Sequence, residues 1–187
     1  MTERTTNLTK IALFAAILAV SAFLKIPIGP VPLTLQSTAA LLAGYGLGPS
    51  RGASAALLYT LAGLAGLPIF ASGGGPAYIL APTFGFILGF TLCALTTGLL
   101  ARFNTGGSVL TAYFIMLGGL VSLYIPGFLW LCLSLHEVMG TPEGIASLIR
   151  TGLIIPFIGD LLKTLPAAFI GVRLRKNLNK PSGIHTY

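Results

Sequence analysis

The chain consists of six long apolar runs separated by short connections rich in glycine, proline or charge. The runs lie at about residues 8–26, 34–48, 52–67, 82–101, 108–133 and 151–172. A helix that crosses a bilayer needs about 20 predominantly apolar residues. The pattern therefore predicts an all-α protein, an integral membrane bundle of six transmembrane helices that forms a single membrane domain over residues 1–187. The first run is long enough to span, so we expect it to stay in the protein rather than act as a cleaved signal peptide.

Two connections are unusually apolar for loops. They are loop A (residues 27–36) and loop B (residues 67–78), which precede and follow the second and third runs. Those runs hold about 15 residues each, or roughly 22 Å of helix, which is less than a hydrocarbon core of about 30 Å. Non-helical backbone at membrane depth is tolerated only where it is buried in protein or lines a cavity. We expect both loops to fold back and form a pocket on the outer side; the alternative is that they are rigid connectors.

Composition excludes a soluble protein, because 55% of the residues are hydrophobic and only 8% are charged. The formal net charge of +7 does not indicate nucleic-acid binding, since the basic residues stand at the ends of the apolar runs rather than on one water-facing surface. By the positive-inside rule they predict that the N- and C-termini are cytoplasmic. These residues are Arg4, Lys10, Arg51, Arg102, Arg173, Arg175, Lys176 and Lys180.

The last apolar run contains an acid and a base, Asp160 and Lys163. A charge at the bilayer centre costs about 2.5–3.5 kcal/mol on insertion scales, so charged residues there are usually functional. Residues three apart lie on one face of a helix, so the two side chains can pair or grip one ligand. Upstream, Pro156 and Gly159 predict a loosened helix near Asp160. Ligand binding and a purely structural ion pair both remain open at this point.

Loop B carries a second candidate site, because a run of three glycines lets backbone N–H groups approach a ligand closely. A flexible loop is the alternative interpretation of that run. Aromatic side chains flank it, and the end of loop A adds polar groups. The substrate-binding residues that we predict are Asp160, Lys163, Gly73, Gly74, Gly75, Tyr78, Phe70, Thr34 and Gln36.

In the first run, alanines recur at a spacing of four residues, as Ala12 with Ala16 and as Ala15 with Ala19. Small residues at this spacing let another helix pack closely in lipid, where contact rather than hydrophobicity drives association. We predict that this stripe docks a partner. From the stripe alone, that partner is equally an internal helix or another subunit.

The sequence offers little for catalysis or metal binding. Cys93 and Cys132 fall within apolar runs and are expected to be small core residues. His136 and His185 have no second ligand at metal-binding spacing. We therefore expect a protein that is not an enzyme and that has no metal and no cofactor.

Several motifs, arriving in order between about Ala12 and Arg175, give this chain a specific resemblance to a known family. They are Pro30-Val-Pro-Leu-Thr-Leu-Gln36, Gly66-Leu-Pro-Ile-Phe70, Gly73-Gly-Gly75, Pro82-Thr83 with Gly85-Phe-Ile-Leu-Gly-Phe90, and Gly159-Asp160 with Lys163. Together they resemble the BioY family, the biotin-binding substrate components of energy-coupling factor (ECF) transporters.

The resemblance implies a multi-pass protein of the bacterial plasma membrane whose outer loops close over biotin. It implies that Asp160 and Lys163 are the family's intramembrane acid and base, that the Gly73 to Tyr78 segment covers the ligand, and that Thr34 and Gln36 are first-loop contacts. The alanine stripe would dock on a transmembrane coupling subunit. Two separate ATPase subunits would hydrolyse ATP, since this chain lacks the phosphate-cradling G-x-x-x-x-G-K-[ST] pattern.

Two alternative functions remain open. One is a substrate component for another small vitamin, and the other is a self-sufficient secondary transporter that uses Asp160 as a proton site. Competition between ligands tests the first, and uptake driven by a pH gradient without any ATPase tests the second.

Overall fold

A computed structural model describes residues 2–134 and 145–178. Its helices are α1 Glu3–Phe23, α2 Gln36–Leu47, α3 Pro49–Leu64, α4 Phe84–Leu100, α5 Val109–Leu133, α6 Ile145–Ile149 and α7 Ile155–Leu178. A π-helical turn, Arg150–Ile154, joins α6 to α7, so these elements form one continuous helical rod. The described residues thus form a bundle of six helical rods, which confirms the all-α, six-helix prediction. His136, Lys180 and His185 lie outside the described residues.

Four rods within the described ranges are long and apolar enough to cross a membrane. They are Glu3–Phe23, Phe84–Phe103, Val109–Leu133 and Ala146–Leu178. The other two, α2 and α3, have 12 and 16 residues. At 1.5 Å per residue they are about 18 and 24 Å long, shorter than a hydrocarbon core of about 30 Å. The short second and third helices expected from the sequence are therefore present.

Helix boundaries differ from the apolar runs at both ends of the chain. Helix α1 starts five residues before the first run at Leu8, because Thr2 caps it by accepting a hydrogen bond from the backbone N–H of Thr5. Helix α7 continues past residue 172 to Leu178 through a basic stretch that includes Arg175 and Lys176. Arginine and lysine are good helix formers and are favourable near a helix C-terminus. The pattern of apolar residues predicts neither the cap at Thr2 nor the basic extension of α7.

Loops A and B both fold back against the bundle, as the sequence predicts. The two-residue strand β1 Lys25–Ile26, directly before loop A, pairs with β2 Leu33–Thr34 of loop A as an antiparallel hairpin, and Val31 is buried. In loop B, Phe70 and Gly73 form a β-bridge, followed by a 3₁₀ turn over Pro76–Leu80. The Lys25 ammonium donates a hydrogen bond to the Ala71 carbonyl and so connects this hairpin to loop B. Together they cover one end of the bundle.

The centre of the bundle is α4, which packs against α2, α3 and α5. Its approach to α2 is close because Gly44 lacks a side chain: a Cβ there would lie 2.2 Å from the Ala94 carbonyl oxygen. Close crossings at small residues are a common way for helices to pack within a membrane. This packing sets the distance between the helices that carry the site.

Candidate functional site

A cavity of about 40 Å³ lies under loops A and B, between α2, α4, α5 and α7. Part of its wall is apolar, formed by Phe86, Ile87 and Phe90 of α4 and by Leu123 of α5. Another part is polar and includes Asp160 of α7. Loop residues from 31 to 34, with Ala71 and Tyr78, close the cavity from the end of the bundle. A space with apolar walls and a few convergent polar groups is the usual form of a small-molecule site.

Asp160 is buried, 5% exposed, and three side chains hold its carboxylate. Ser37 Oγ donates to Oδ1 at 2.7 Å, and Tyr124 Oη donates to Oδ2 at 2.8 Å. Lys163 Nζ lies 2.5 Å from Oδ1, so the two side chains form an ion pair, one of the two arrangements that the three-residue spacing allowed. A buried charge of this kind is tolerated only when it is paired and hydrogen-bonded. Its contacts come from α2, α5 and α7 and therefore tie three helices together.

Lys163 lies at the edge of the site rather than inside it. Its ammonium pairs with Asp160, donates to the Thr34 carbonyl in loop A, and lies 3.5 Å from Ser37 Oγ. Its side chain is 20% exposed and is not part of the cavity wall. Lys163 thus connects loop A to α7.

Thr34 and Gln36 do line the cavity, and they also join loop A to loop B. Thr34 Oγ1 donates to Gln36 Oε1 at 3.2 Å, and Gln36 Nε2 donates to Tyr59 Oη at 2.5 Å. Tyr59 Oη then donates to the Ile69 carbonyl of loop B at 3.3 Å. Gln36 is almost fully buried, so this chain of hydrogen bonds satisfies polar groups that lipid could not.

Of the loop B residues singled out from the sequence, Tyr78 lines the cavity, and its hydroxyl is 3.0 Å from Thr83 Oγ1. Phe70 and the glycine run lie behind the wall. Phe70 packs on Tyr59 and Tyr78, with ring-centroid distances of 5.3 and 4.6 Å. It also fills the space beside Gly63, where a Cβ would lie 2.1 Å from Phe70 Cζ.

The glycines of loop B shape the turn that carries Tyr78. Gly73 and Gly75 have φ angles of 122° and 98°, which favour glycine. A Cβ on Gly74 would lie 2.1 Å from the Leu67 carbonyl oxygen. The N–H groups of Gly73 and Gly75 donate to the carbonyls of Phe70 and Gly63. In this arrangement the run holds the loop closed.

Sequence reasoning missed the two hydroxyl groups that hold the Asp160 carboxylate, those of Ser37 and Tyr124, as well as the apolar wall from α4 and α5. Ser37 directly follows Gln36, so its position after a polar loop ending was a usable signal. Tyr124 lies in the middle of an apolar run, and nothing in the sequence around it distinguishes its hydroxyl from an ordinary aromatic core residue. The loosened helix expected near Asp160 is not found there, because α7 is an α-helix from Ile155 through Asp160. The irregularity is instead the π-helical turn over Arg150–Ile154, which ends before Pro156.

The alanine stripe of α1 splits between two surfaces. Ala15 is buried, and Ala19 packs against the core, where α1 meets α2 and α3. Ala12 and Ala16 are exposed on the outside of the bundle. The four-residue spacing thus serves an internal contact on one face and leaves two small side chains exposed on the other.

A bundle of apolar helices that closes loops over an acid–base pair and an aromatic wall defines a multi-pass membrane protein with a site for a small solute. Comparison with known proteins identifies its family. The sequence model of the BioY family matches residues 1–180. The chain therefore belongs to the BioY family.

Individual relatives agree with this assignment. The "Probable biotin transporter BioY" of Lysinibacillus sphaericus is 35% identical, with 93% of this chain and 89% of that protein covered. The "Biotin transporter BioY" of Thermotoga maritima is 37% identical, with 91% and 96% covered. The chain also superposes on a crystal structure of the S-component for biotin from an ECF-type ABC transporter. That match has a TM-score of 0.79 and 28% identity and covers 94% of this chain and 95% of the other.

Proposed function

We propose that this chain is the biotin-binding substrate component of an ECF-type vitamin uptake transporter of the bacterial plasma membrane. In this proposal it captures biotin on the outer side, with both termini cytoplasmic, as a single membrane domain over residues 1–187. The observation that carries the proposal is the Asp160 carboxylate. Ser37, Tyr124 and Lys163 hold it at the edge of a cavity whose wall also includes aromatic side chains.

The chemistry of biotin fits these two walls. Its bicyclic body is apolar and suits Phe86 and Phe90, while its ureido N–H groups can donate to a carboxylate such as that of Asp160. Lys163 can neutralise the biotin carboxylate or donate to the ureido oxygen. Tyr78, Thr34 and Gln36 supply further polar contacts, and Phe70 with Gly73, Gly74 and Gly75 would support them from behind.

Biotin entry requires the loops to move. Sites for small molecules commonly measure about 300–1,000 Å³, whereas this cavity measures about 40 Å³. The helical walls are fixed by close contacts such as that of Gly44 with Ala94, so the parts that can yield are loops A and B. We propose that the Lys25 contact with Ala71 and the Lys163 contact with Thr34 break on opening and re-form over the ligand.

The partners follow from the same proposal. The exposed face of α1 that carries Ala12 and Ala16 would dock on a transmembrane coupling subunit, with Ala15 and Ala19 supporting it from inside. ATP hydrolysis would belong to two separate ATPase subunits, so this chain would be neither an enzyme nor the holder of a cofactor. Biotin would be its transported ligand.

Calorimetric titration of biotin into the detergent-purified chain tests the proposal. We expect Asp160→Asn and Lys163→Gln each to weaken binding at least tenfold, about 1.4 kcal/mol, because each removes one member of the charged pair. Lys10→Gln, on α1 and away from the cavity, is the matched control and should bind like the wild type. No biotin binding at micromolar concentration would refute the proposal. If another vitamin binds more tightly and displaces biotin, that vitamin would be the transported ligand.

A second experiment distinguishes this function from proton-coupled transport. The chain alone in liposomes should show no biotin uptake driven by a pH gradient, because energy would come from ATPase subunits. Uptake that follows the gradient and disappears in Asp160→Asn would instead assign the chain to the secondary transporters.

A further inference from the structure

A second cavity, of about 210 Å³, lies at the opposite end of the bundle from Asp160. It is found where α2 ends, α3 begins, α4 ends and α7 passes. Much of its wall is small residues and backbone, including Gly46, Gly48, Gly98 and Ala101. Because these side chains are small or absent, a compact group can approach the main chain. We call this space the arginine cavity because three arginines line it: Arg51, Arg102 and Arg175.

Two of these arginines are held in place. Arg175 Nη1 donates to the Ala101 carbonyl at 2.5 Å, and its guanidinium carbon lies 5.5 Å from the centre of the Tyr45 ring. Arg51 Nη1 donates to Asn7 Oδ1 at 2.7 Å. A guanidinium has five N–H donors, so each arginine keeps donors for another group. Arg102 is exposed and makes no side-chain hydrogen bond to any residue that the structure describes.

The arginines of the arginine cavity form no ion pair with a carboxylate of the described residues. The carboxylates in the described ranges are those of Glu3 and Asp160. Asp160 is paired with Lys163 at the other end, and no ion pair within residues 2–134 and 145–178 involves an arginine. Helix α3 begins at Pro49 on the cavity wall, so the positive end of its dipole adds to the field. A site of this kind attracts an anion from outside the chain.

An adjoining cavity extends the same basic surface. It measures about 290 Å³, shares Tyr45 and Arg175 with the arginine cavity, and adds Lys176 together with the backbone of Gly106 and Gly107. Lys176 Cε would be 3.2 Å from a Cβ on Gly107, so the lysine lies along that loop. The two cavities thus form one basic recess.

The geometry points to a phosphate group as the occupant, and we propose that it is the headgroup phosphate of an anionic phospholipid. Arginine forks match phosphate oxygens, and basic pockets between membrane helices bind acidic lipid headgroups. The surroundings favour a lipid over free phosphate. Phe103, next to Arg102, is 81% exposed, and Leu99 one turn earlier is 43% exposed, so an apolar surface for acyl chains adjoins the charged recess. The proposal does not depend on the identity of the transported ligand.

Native mass spectrometry of the full chain, delipidated in detergent, tests the proposal by titration with phosphatidylglycerol and with zwitterionic phosphatidylcholine. We expect the wild type to bind phosphatidylglycerol at least fivefold more tightly. Arg102→Gln should reduce that preference at least threefold, and Arg51→Gln with Arg102→Gln should abolish it. Arg173→Gln is the matched control, since Arg173 is stacked on Phe169, with its guanidinium carbon 4.2 Å from the ring centre, and does not line the arginine cavity.

Further measurements distinguish a lipid headgroup from free phosphate and test whether the variants are folded. Thermal unfolding should show no stabilisation by millimolar inorganic phosphate; stabilisation that is lost in Arg102→Gln would keep the site but assign it to free phosphate. Asn7→Ala removes the tether of Arg51 without changing charge and should retain most of the lipid preference. The proposal is overturned if Arg173→Gln lowers the preference as much as Arg102→Gln does, or if the double variant, unfolding at the wild-type temperature, keeps it.

Discussion

At the scale of single residues, the site depends on how one carboxylate is held. Asp160 has donors from three different elements, and Ser37 and Tyr124 supply two of them. Loss of the Tyr124 hydroxyl would leave Asp160 Oδ2 without a donor, and an unsatisfied buried acceptor costs about 1–3 kcal/mol. The hydroxyls therefore position the carboxylate that we propose receives the ligand.

Replacing Tyr124 by Phe tests this positioning role. The change removes only the hydroxyl that donates to Asp160 Oδ2 and keeps the ring that packs edge-on against Phe86 and Phe157. We expect biotin affinity to fall about five- to tenfold, or about 1 kcal/mol, in a calorimetric titration. Tyr113→Phe, the same substitution on the same helix but next to Phe114 and away from the cavity, is the control. Equal affinities for the two variants would contradict the role of the hydroxyl.

At the scale of elements, close helix crossings fix the walls of the site, and loops A and B close over them. The α2–α4 crossing depends on Gly44, and the position of α2 determines where Ser37 meets Asp160 and Lys163 of α7. A substitution that alters this crossing should therefore affect both the stability of the bundle and the binding of biotin.

Gly44→Ala is expected to destabilise the bundle. The added Cβ would lie 2.2 Å from the Ala94 carbonyl oxygen, and this is backbone, which cannot rotate away. Overpacking of a close-packed interior costs about 1–3 kcal/mol. Thermal unfolding in detergent, followed by the fluorescence of Trp130, should show a lower midpoint. Gly106→Ala, where a Cβ meets nothing within 4 Å, should leave the midpoint unchanged. A Gly44→Ala midpoint equal to that of Gly106→Ala would show that the helices separate at little cost.

At the scale of the whole molecule, the proposed functions occupy different surfaces. The solute cavity lies at one end, the arginine cavity at the other, and the exposed alanines of α1 on the side. A substitution on one surface should therefore leave the functions of the other two surfaces unchanged.

Ala12→Leu with Ala16→Leu tests the docking surface. Both alanines are exposed, so the larger side chains need not disturb the bundle, but they would keep a partner helix from close contact. We expect normal biotin binding by the isolated chain and at least a fivefold loss of ATP-dependent uptake in cells that also produce the coupling and ATPase subunits. Ala146→Leu, at an exposed alanine on another rod, should not affect uptake. Loss of binding together with uptake would instead indicate a folding defect.

The sequence by itself determined the membrane class, the six helices and the position of Asp160 and Lys163 on one helix face, because hydropathy and helical spacing are local properties. That the two side chains pair was decided by the structure. It also predicted that Thr34, Gln36 and Tyr78 lie at a pocket formed by the two loops. Only the tertiary structure decided which groups meet Asp160, since Ser37 is 123 residues away along the chain. It likewise showed Phe70 and the glycine run behind the wall and divided the alanine stripe between two faces. Contacts between distant segments depend on how helices cross, and helix crossing is set by the packing of the whole bundle.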